Sequence, residues 1–242
     1  MSYLIENLIN TIDRIYHQKK VFNQLKKLNI STAIDVGAHK GEFLNYLLTI
    51  KDIQEIHAFE PQKEIFDMLN LNFGKNKKIF LNNEGLSDIN STREMNLNSL
   101  TSTSTFSTIN ESSSWFKFKN LILNKKNSFQ KKIKIKTIKL DDYFKVKNIN
   151  KIDLLKIDTE GSEYEVLLGS KRIIQNVSYI MIEIQKNDMY QNYSIKKIED
   201  FLKNNNFILI KKFNFPFMFF EDRFYKKILD KNFNYFIKNF FC

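Results

Sequence analysis

Cysteine is almost missing from this chain: of 242 residues the only one is Cys242, at the last position. A disulfide within the chain is excluded, which fits a reducing cytoplasm. Proline is nearly as scarce, with only Pro61 and Pro216, and there are 6 glycines. That composition excludes a collagen-like repeat and a proline-rich linker. No apolar run approaches the ~20 residues of a membrane span. Glu6 and Asp13 interrupt the apolar pattern of residues 1–20, so that stretch does not read as a signal peptide. A cytoplasmic location is therefore expected. Arginine is rare too, confined to Arg14, Arg93, Arg172 and Arg223.

Positive charge is abundant all the same, with a net +11 carried almost wholly by lysine. Such a charge attracts nucleic acid or an anionic surface. Base readout and bidentate phosphate gripping favour arginine, however. Lys, Asn, Ile and Phe are residues of A+T-rich codons, so genomic composition accounts for the charge and argues against a dedicated nucleic-acid role. Hydrophobic residues make up 43%, enough for a sizeable core in one domain with extensions.

The pattern divides the chain into a helical extension (1–30), a central domain (31–212) and a Phe-rich extension (213–242). Leu4, Ile5, Leu8, Ile12, Ile15 and Tyr16 recur at helical spacing, as do Val21, Phe22, Leu25 and Leu28. From residue 32 short apolar strands alternate with helical patterns. The strands are 33–36, 55–59, 78–83, 152–157, 179–184 and 207–213. Helices are expected over 41–49, 63–73, 160–174 and 194–206. The alternation implies a parallel sheet with helices on both faces. It fails over Asn98–Trp115, a long Ser/Thr-rich loop of the kind that carries function or is disordered. Beyond it, Lys134 and Lys136 alternate with Ile133 and Ile135, the period of a half-exposed strand. In the tail, Pro216 breaks a strand-like start and residues 225–241 read as a helix with an aromatic stripe. Packing is its plain reading, and peripheral membrane contact is the alternative.

Ligands of open parallel sheets bind beyond the carboxyl ends of the strands. Here those ends carry acids: Asp35, Glu60, Asp158 with Glu160 behind it, and Glu183. Four on one rim of a basic protein point to a site. Glu60 follows Asp35 by 60 − 35 = 25 residues and is placed to accept hydrogen bonds from a ribose diol. A dinucleotide site wants G-x-G-x-x-G, yet this loop has only Gly37 and Gly41, with Ala38, His39 and Lys40 between them. Asp35 would repel a pyrophosphate and suits an ammonium, so the loop points to S-adenosylmethionine as cofactor.

The segments IDVGAHKGEF, AFEP, EGLSD, TIKLDDYF, LLKIDTEGSEYEVLLGS and IMIEI stand in that order between Ile34 and Glu183. Together they resemble the FkbM family of S-adenosylmethionine-dependent methyltransferases. The resemblance implies a class I methyltransferase fold, a Rossmann-like, mostly parallel seven-stranded sheet with its final strand antiparallel. It implies O-methylation of a hydroxyl on a sugar, glycan or polyketide-like small molecule. It assigns Asp35, Gly37, Ala38, His39 and Gly41 to the cofactor loop, Glu60 and Pro61 to the ribose, and Leu86, Ser87 and Asp88 to the adenine border. It places Asp158, Glu160 and Gly161 at the active-site mouth. His39 stands where the family has Asn. A tight loop with left-handed backbone tolerates either, and a role for His39 as general base is the sharper alternative. Asp158 is the first candidate for the proton acceptor, Glu160 the second, and Glu183 is placed to orient the acceptor. Lys156 precedes Asp158 by two residues, so both point the same way along the strand. No metal is expected, since nothing in the spacing demands one. A nicotinamide oxidoreductase, a non-catalytic basic binding module and a methyltransferase acting on RNA or protein are the rival readings.

Overall fold

The computed structural model describes residues 18–98, 104–122, 129–214 and 220–228. The expected helix over 4–16, Pro216, Cys242 and most of the Phe-rich tail lie outside them.

The main sheet has seven strands: β1 (Thr32–Val36), β2 (Glu55–Phe59), β3 (Ile79–Asn82), β7 (Ile152–Ile157), β8 (Val177–Gln185), β9 (Phe207–Asn214) and β10 (Phe220–Lys227). Their spatial order is β3-β2-β1-β7-β8-β10-β9. Pairing is parallel from β3 to β8, and β10 runs antiparallel to both β8 and β9. The expected seven-stranded α/β architecture is therefore present. The chain reverses direction in strand order beside β1, between β2 and β7, which opens a crevice at the carboxyl ends of those strands.

Alternate residues of the central strands feed two cores. Ile34, Val36, Leu155, Ile157, Ile180 and Ile182 pack on one face with α5 (Leu140–Lys147), α6 (Glu163–Leu168) and α7 (Ile195–Asn204). Ala33, Leu154, Met181 and Phe224 pack on the other with α1 (Gln18–Leu25), α2 (Glu42–Leu47) and α3 (Lys63–Phe73). β7 is buried at every residue, as a central strand covered on both faces must be. Each fully buried Leu or Ile contributes about 1.5–3 kcal/mol. α7 begins where the Ser194 side chain accepts the Lys197 N–H at 3.3 Å.

Four features differ from the expectations. The helix read over 160–174 is broken: α6 ends at Leu168, and a 3₁₀ turn follows over Ile173–Asn176. Gly169 lies so close to the Ser87 carbonyl that any side chain there would collide with it. Tyr225, Lys226 and Lys227, read as the start of a helix, are the end of β10, because pairing to β8 and β9 overrides their local pattern. The expected boundary at 212 falls inside β9. Between β3 and β7 a second sheet forms, unforeseen but for its lysine strand: β4 (Gly85–Leu86), β5 (Ser91–Asn98) and β6 (Phe129–Ile138), in the order β4-β6-β5. In β6 Ile135 is buried while Lys134 and Lys136 are exposed, as their alternation requires. A short helix, α4 (Ser114–Ile122), lies between β5 and β6.

Candidate active site

The carboxyl ends of β1, β2 and β7 meet through backbone bonds. Gly37 N–H and Ala38 N–H both donate to the Phe59 carbonyl at 3.0 Å, and Asp158 N–H donates to the Val36 carbonyl at 3.0 Å. A Cβ on Gly37, whose φ is 83°, would strike the Asp158 carbonyl oxygen. The glycine is thus needed twice, for its left-handed backbone and for the close approach of two loops. His39 has φ 48°, the left-handed conformation that suits Asn or His among non-glycine residues.

Parallel pairing sets Asp35 opposite Lys156. Lys156 and Asp158, two residues apart, also share that face. The Lys156 ammonium accordingly bridges both carboxylates, 3.0 Å from Asp35 Oδ1 and 3.2 Å from Asp158 Oδ2. It also lies 5.3 Å from the centre of the Phe43 ring. Burial pulls the Lys156 ammonium down, but Asp35 and Asp158 more than offset it and leave its pKa raised. Burial raises Asp35 against the opposing pull of Lys156. Asp35 has no exposed surface, and its Oδ2 is buried without a hydrogen-bond partner.

Glu60 is 3% exposed. Each of its oxygens accepts one backbone N–H, from His39 at 2.9 Å and from Gln62 at 2.8 Å. Burial raises its pKa, opposed by those N–H groups. The Gln62 side chain also hydrogen-bonds to it, and of a carboxylate's roughly four lone-pair sites these three bonds leave about one. Pro61 lies in the turn between, its carbonyl accepting from Asn83 at 3.2 Å.

Beyond β7, Glu160 and Gly161 turn the chain with φ 52° and 101°. The Glu160 carboxylate accepts from Tyr190 Oη at 2.6 Å and from Gln185 Nε2 at 3.2 Å. Gln185 also donates to Glu183 at 2.6 Å. Burial pushes Glu183 well above the usual carboxylate range, helped by the charges of Asp158, Glu160, Asp222 and Glu163. Burial and then the Glu160 carboxylate push Tyr190 well up. Asp158, Glu160 and Glu183 are thus brought together. Among the described residues, no group of three or more His, Cys, Asp or Glu is arranged to hold a metal ion.

Ser87 and Asp88 lie in the turn between β4 and β5, where Ser87 donates to Asp88 at 3.0 Å and accepts from Arg93 at 2.8 Å. Leu86 packs in the main core beside Phe59 and Val166. His57 is buried in β2 and shares a 2.8 Å hydrogen bond with the Tyr143 hydroxyl, away from the rim.

The described part of the Ser/Thr loop lies over the turn after β7. Thr105 Oγ1 donates to the Glu160 carbonyl at 2.5 Å, and Ser107 Oγ to the Gly161 carbonyl at 2.8 Å. Ser104 donates to Gln62 at 3.1 Å, tying the loop to the Glu60 side as well. Tyr190, Gln185, Thr105 and Ser107 were not singled out by sequence reasoning, nor was Glu163, which has no exposed surface. An ordinary polar residue in a loop carries no sequence mark of the partner it will meet. For Glu163 the available signal is its place just after the D-T-E-G turn.

A sheet of this order, with a glycine loop after β1 and acids at the ends of β2 and β7, defines a class I methyltransferase. Residues 35–209 match the model of the methyltransferase FkbM domain, and the chain belongs to that family. It is an S-adenosylmethionine-dependent methyltransferase. No curated protein matches the chain. The chain is similar to several solved structures. A protein assigned as an rRNA methylase from Clostridium thermocellum is 11% identical, with 88% of this chain and 96% of that one covered and a TM-score of 0.50. A SAM-dependent methyltransferase from Aquifex aeolicus is 11% identical, with 94% and 99% covered and a TM-score of 0.48. TrmK of M. capricolum, in complex with S-adenosylhomocysteine, is 14% identical, with 87% and 72% covered and a TM-score of 0.47. Among the described residues no helix is long and apolar enough to cross a membrane.

Proposed function

We propose that the protein transfers a methyl group to a hydroxyl of a sugar, glycan or related small molecule, with Asp158 taking the hydroxyl proton. The observation that carries this reading is the contrast among the rim acids. Asp35 and Glu60 are closed in, and Glu160 is engaged by Tyr190 and Gln185. Asp158 keeps 34% of its side chain exposed while Lys156 fixes one of its oxygens. A fixed carboxylate that still faces the crevice suits proton transfer.

Two observations support the cofactor's place. Glu60 retains acceptor capacity beyond its bonds to His39 and Gln62, as a ribose hydroxyl requires. The glycine loop presents left-handed residues at Gly37, His39 and Gly41, which open its backbone to a ligand. Ala38 lies within that loop, and Pro61 follows Glu60. The resemblance gives Leu86, Ser87 and Asp88 the adenine border, and our own reading gives Glu183 the orienting of the acceptor. Asp35 does not present an exposed atom to an ammonium; its carboxylate anchors Lys156 instead.

Bound S-adenosylmethionine supplies a methyl already activated by its sulfonium. The chain's residues then have to align the acceptor oxygen with that methyl and remove its proton. The hydroxyl proton would pass to the Asp158 carboxylate, whose Oδ2 is held by Lys156 at 3.2 Å. His39 is the weaker candidate for that step. Its imidazole Nδ1 lies 3.5 Å from Glu42.

The test is transfer of labelled methyl to panels of sugars, glycans and RNA. Asp158→Asn is expected to retain S-adenosylhomocysteine binding and to lose about 10²–10⁴ in turnover. Full turnover in that variant would remove Asp158 from proton transfer. Label appearing in RNA and in no hydroxyl-bearing small molecule would overturn the acceptor class.

A further inference from the structure

The turn from Asp158 to Gly161 carries the reacting acid of the reading above, yet it holds an unfavourable backbone. Glu160 has φ 52°, which an L side chain seldom adopts, and Gly161 has φ 101°. Such a turn persists only when its surroundings over-determine it. On one side stand the Thr105 and Ser107 hydroxyls, bonded to the Glu160 and Gly161 carbonyls. On the other stands Glu163. Its Oε1 accepts three hydrogen bonds, each of 3.1 Å, from Thr159 N–H, Thr159 Oγ1 and Gly161 N–H. The residue has no exposed surface, and its Oε2 is buried without a hydrogen-bond partner.

We propose that Glu163 is a positioning residue of the methyl transfer: one carboxylate oxygen gathers the donors of the turn and so fixes where Asp158 and Glu160 stand. The inference rests on the reading that Asp158 takes the proton, but the clamp itself can be observed without any acceptor. A buried carboxylate that meets only hydrogen-bond donors on one oxygen, with none on the other, is costly to keep unless it organises something. Here it organises the turn after β7, where Glu160 and Gly161 hold φ values that side chains seldom adopt.

The clamp responds to pH. Burial pushes Glu163 up to about 7, with backbone N–H groups opposing and the Glu160 charge adding. The other titratable groups that feel it are Glu183 on β8, and Tyr190 and Tyr193 from the segment after β8. The ionised carboxylate accepts more strongly than the protonated one, so the turn is held best above that midpoint.

The experiment is amide NMR of the full-length protein between pH 5 and 9, for wild type, Glu163→Gln and Glu163→Ala. In wild type the Thr159 and Gly161 amide shifts are expected to move together with a midpoint near pH 7. In Glu163→Gln, which keeps an acceptor oxygen, they stay flat and amide exchange remains slow. In Glu163→Ala exchange at those two amides speeds at least tenfold while β7 amides are unchanged. The same midpoint persisting in Glu163→Gln would assign the titration to Glu183 and overturn the proposal. So would unchanged exchange in Glu163→Ala. Should the alanine variant not fold, the glutamine titration decides alone. With an acceptor in hand, Glu163→Ala lowers kcat at least tenfold with little change in KM, and Glu163→Gln restores it to within about threefold. A wild-type protein that shows the clamp but methylates no hydroxyl overturns the O-methyl reading and leaves the clamp supported.

Discussion

Glu60 and Glu163 are both buried carboxylates, yet they answer to different tests. Glu60 keeps acceptor capacity that its two backbone N–H partners do not use. Glu60→Ala is expected to weaken S-adenosylhomocysteine binding by about 10–100-fold, the scale of losing one or two hydrogen bonds to a charged group. Calorimetry on the purified variant checks it, and equal affinity would remove Glu60 from the ribose. Glu163 bears instead on stability. Its folded pKa stands near 7, against an ordinary value of 4.5. A carboxyl raised on folding contributes stability that is fully present below pH 4.5 and is lost as pH rises through 7. The difference is worth about 3 kcal/mol at most. Glu163→Gln should flatten the pH dependence of unfolding free energy across that window, as denaturant titrations at pH 4.5 and 8 would show. An undiminished slope would place the dependence elsewhere, with Glu183 the next group to examine.

Elements set how the site is held. The described part of the Ser/Thr loop meets the turn after β7, and Thr105 within it has no exposed surface. Thr105→Val keeps the shape and deletes the donor to the Glu160 carbonyl. A loss of about 1–3 kcal/mol is expected in thermal or denaturant unfolding, because a buried carbonyl loses its partner. An unchanged midpoint would mean that the hydroxyl bond is dispensable to the loop. Strands β1 and β7 were readable as elements from their apolar runs, and the acid ending each was readable as a rim residue. The bridge from Lys156 to Asp35 was not. It depends on the register that places residue 35 opposite residue 156, and register is a property of two strands together. The left-handed backbone of His39 was legible because few residues tolerate that region. The break in α6 was not, since nothing local in residues 160–174 announces that Gly169 must pass the Ser87 carbonyl.

At the scale of the whole molecule, the sheet closes only when β10 enters between β8 and β9. Phe224 on β10 is 1% exposed and stacks on Tyr179 with ring centres 5.6 Å apart. Arg223 on the same strand pairs with Glu221 and with Glu199 of α7. A chain cut after Lys212 loses that strand and uncovers the edge of β8. It is expected not to reach a cooperatively melting fold, which circular dichroism and size-exclusion chromatography would establish. Wild-type-like melting of the shortened chain would mean that the sheet is stable with β10 left out.

The sequence by itself determined what depends on near neighbours along the chain. Apolar runs gave six of the seven strands of the main sheet, helical periods gave most helices, and the acid-and-glycine segments identified the family and its cofactor. Only the tertiary structure decided which of those acids face the crevice. Asp35 and Asp158 end adjacent strands with the same residue type, yet one is sealed against Lys156 and the other remains accessible. Glu160 and Glu163 lie in one turn of chain, yet one points to Tyr190 and the other gathers backbone N–H groups. Tyr190 reaches Glu160 from 30 positions away and Lys156 reaches Asp35 from 121, and a carboxylate's chemistry is set by such partners and by burial rather than by its place in the sequence.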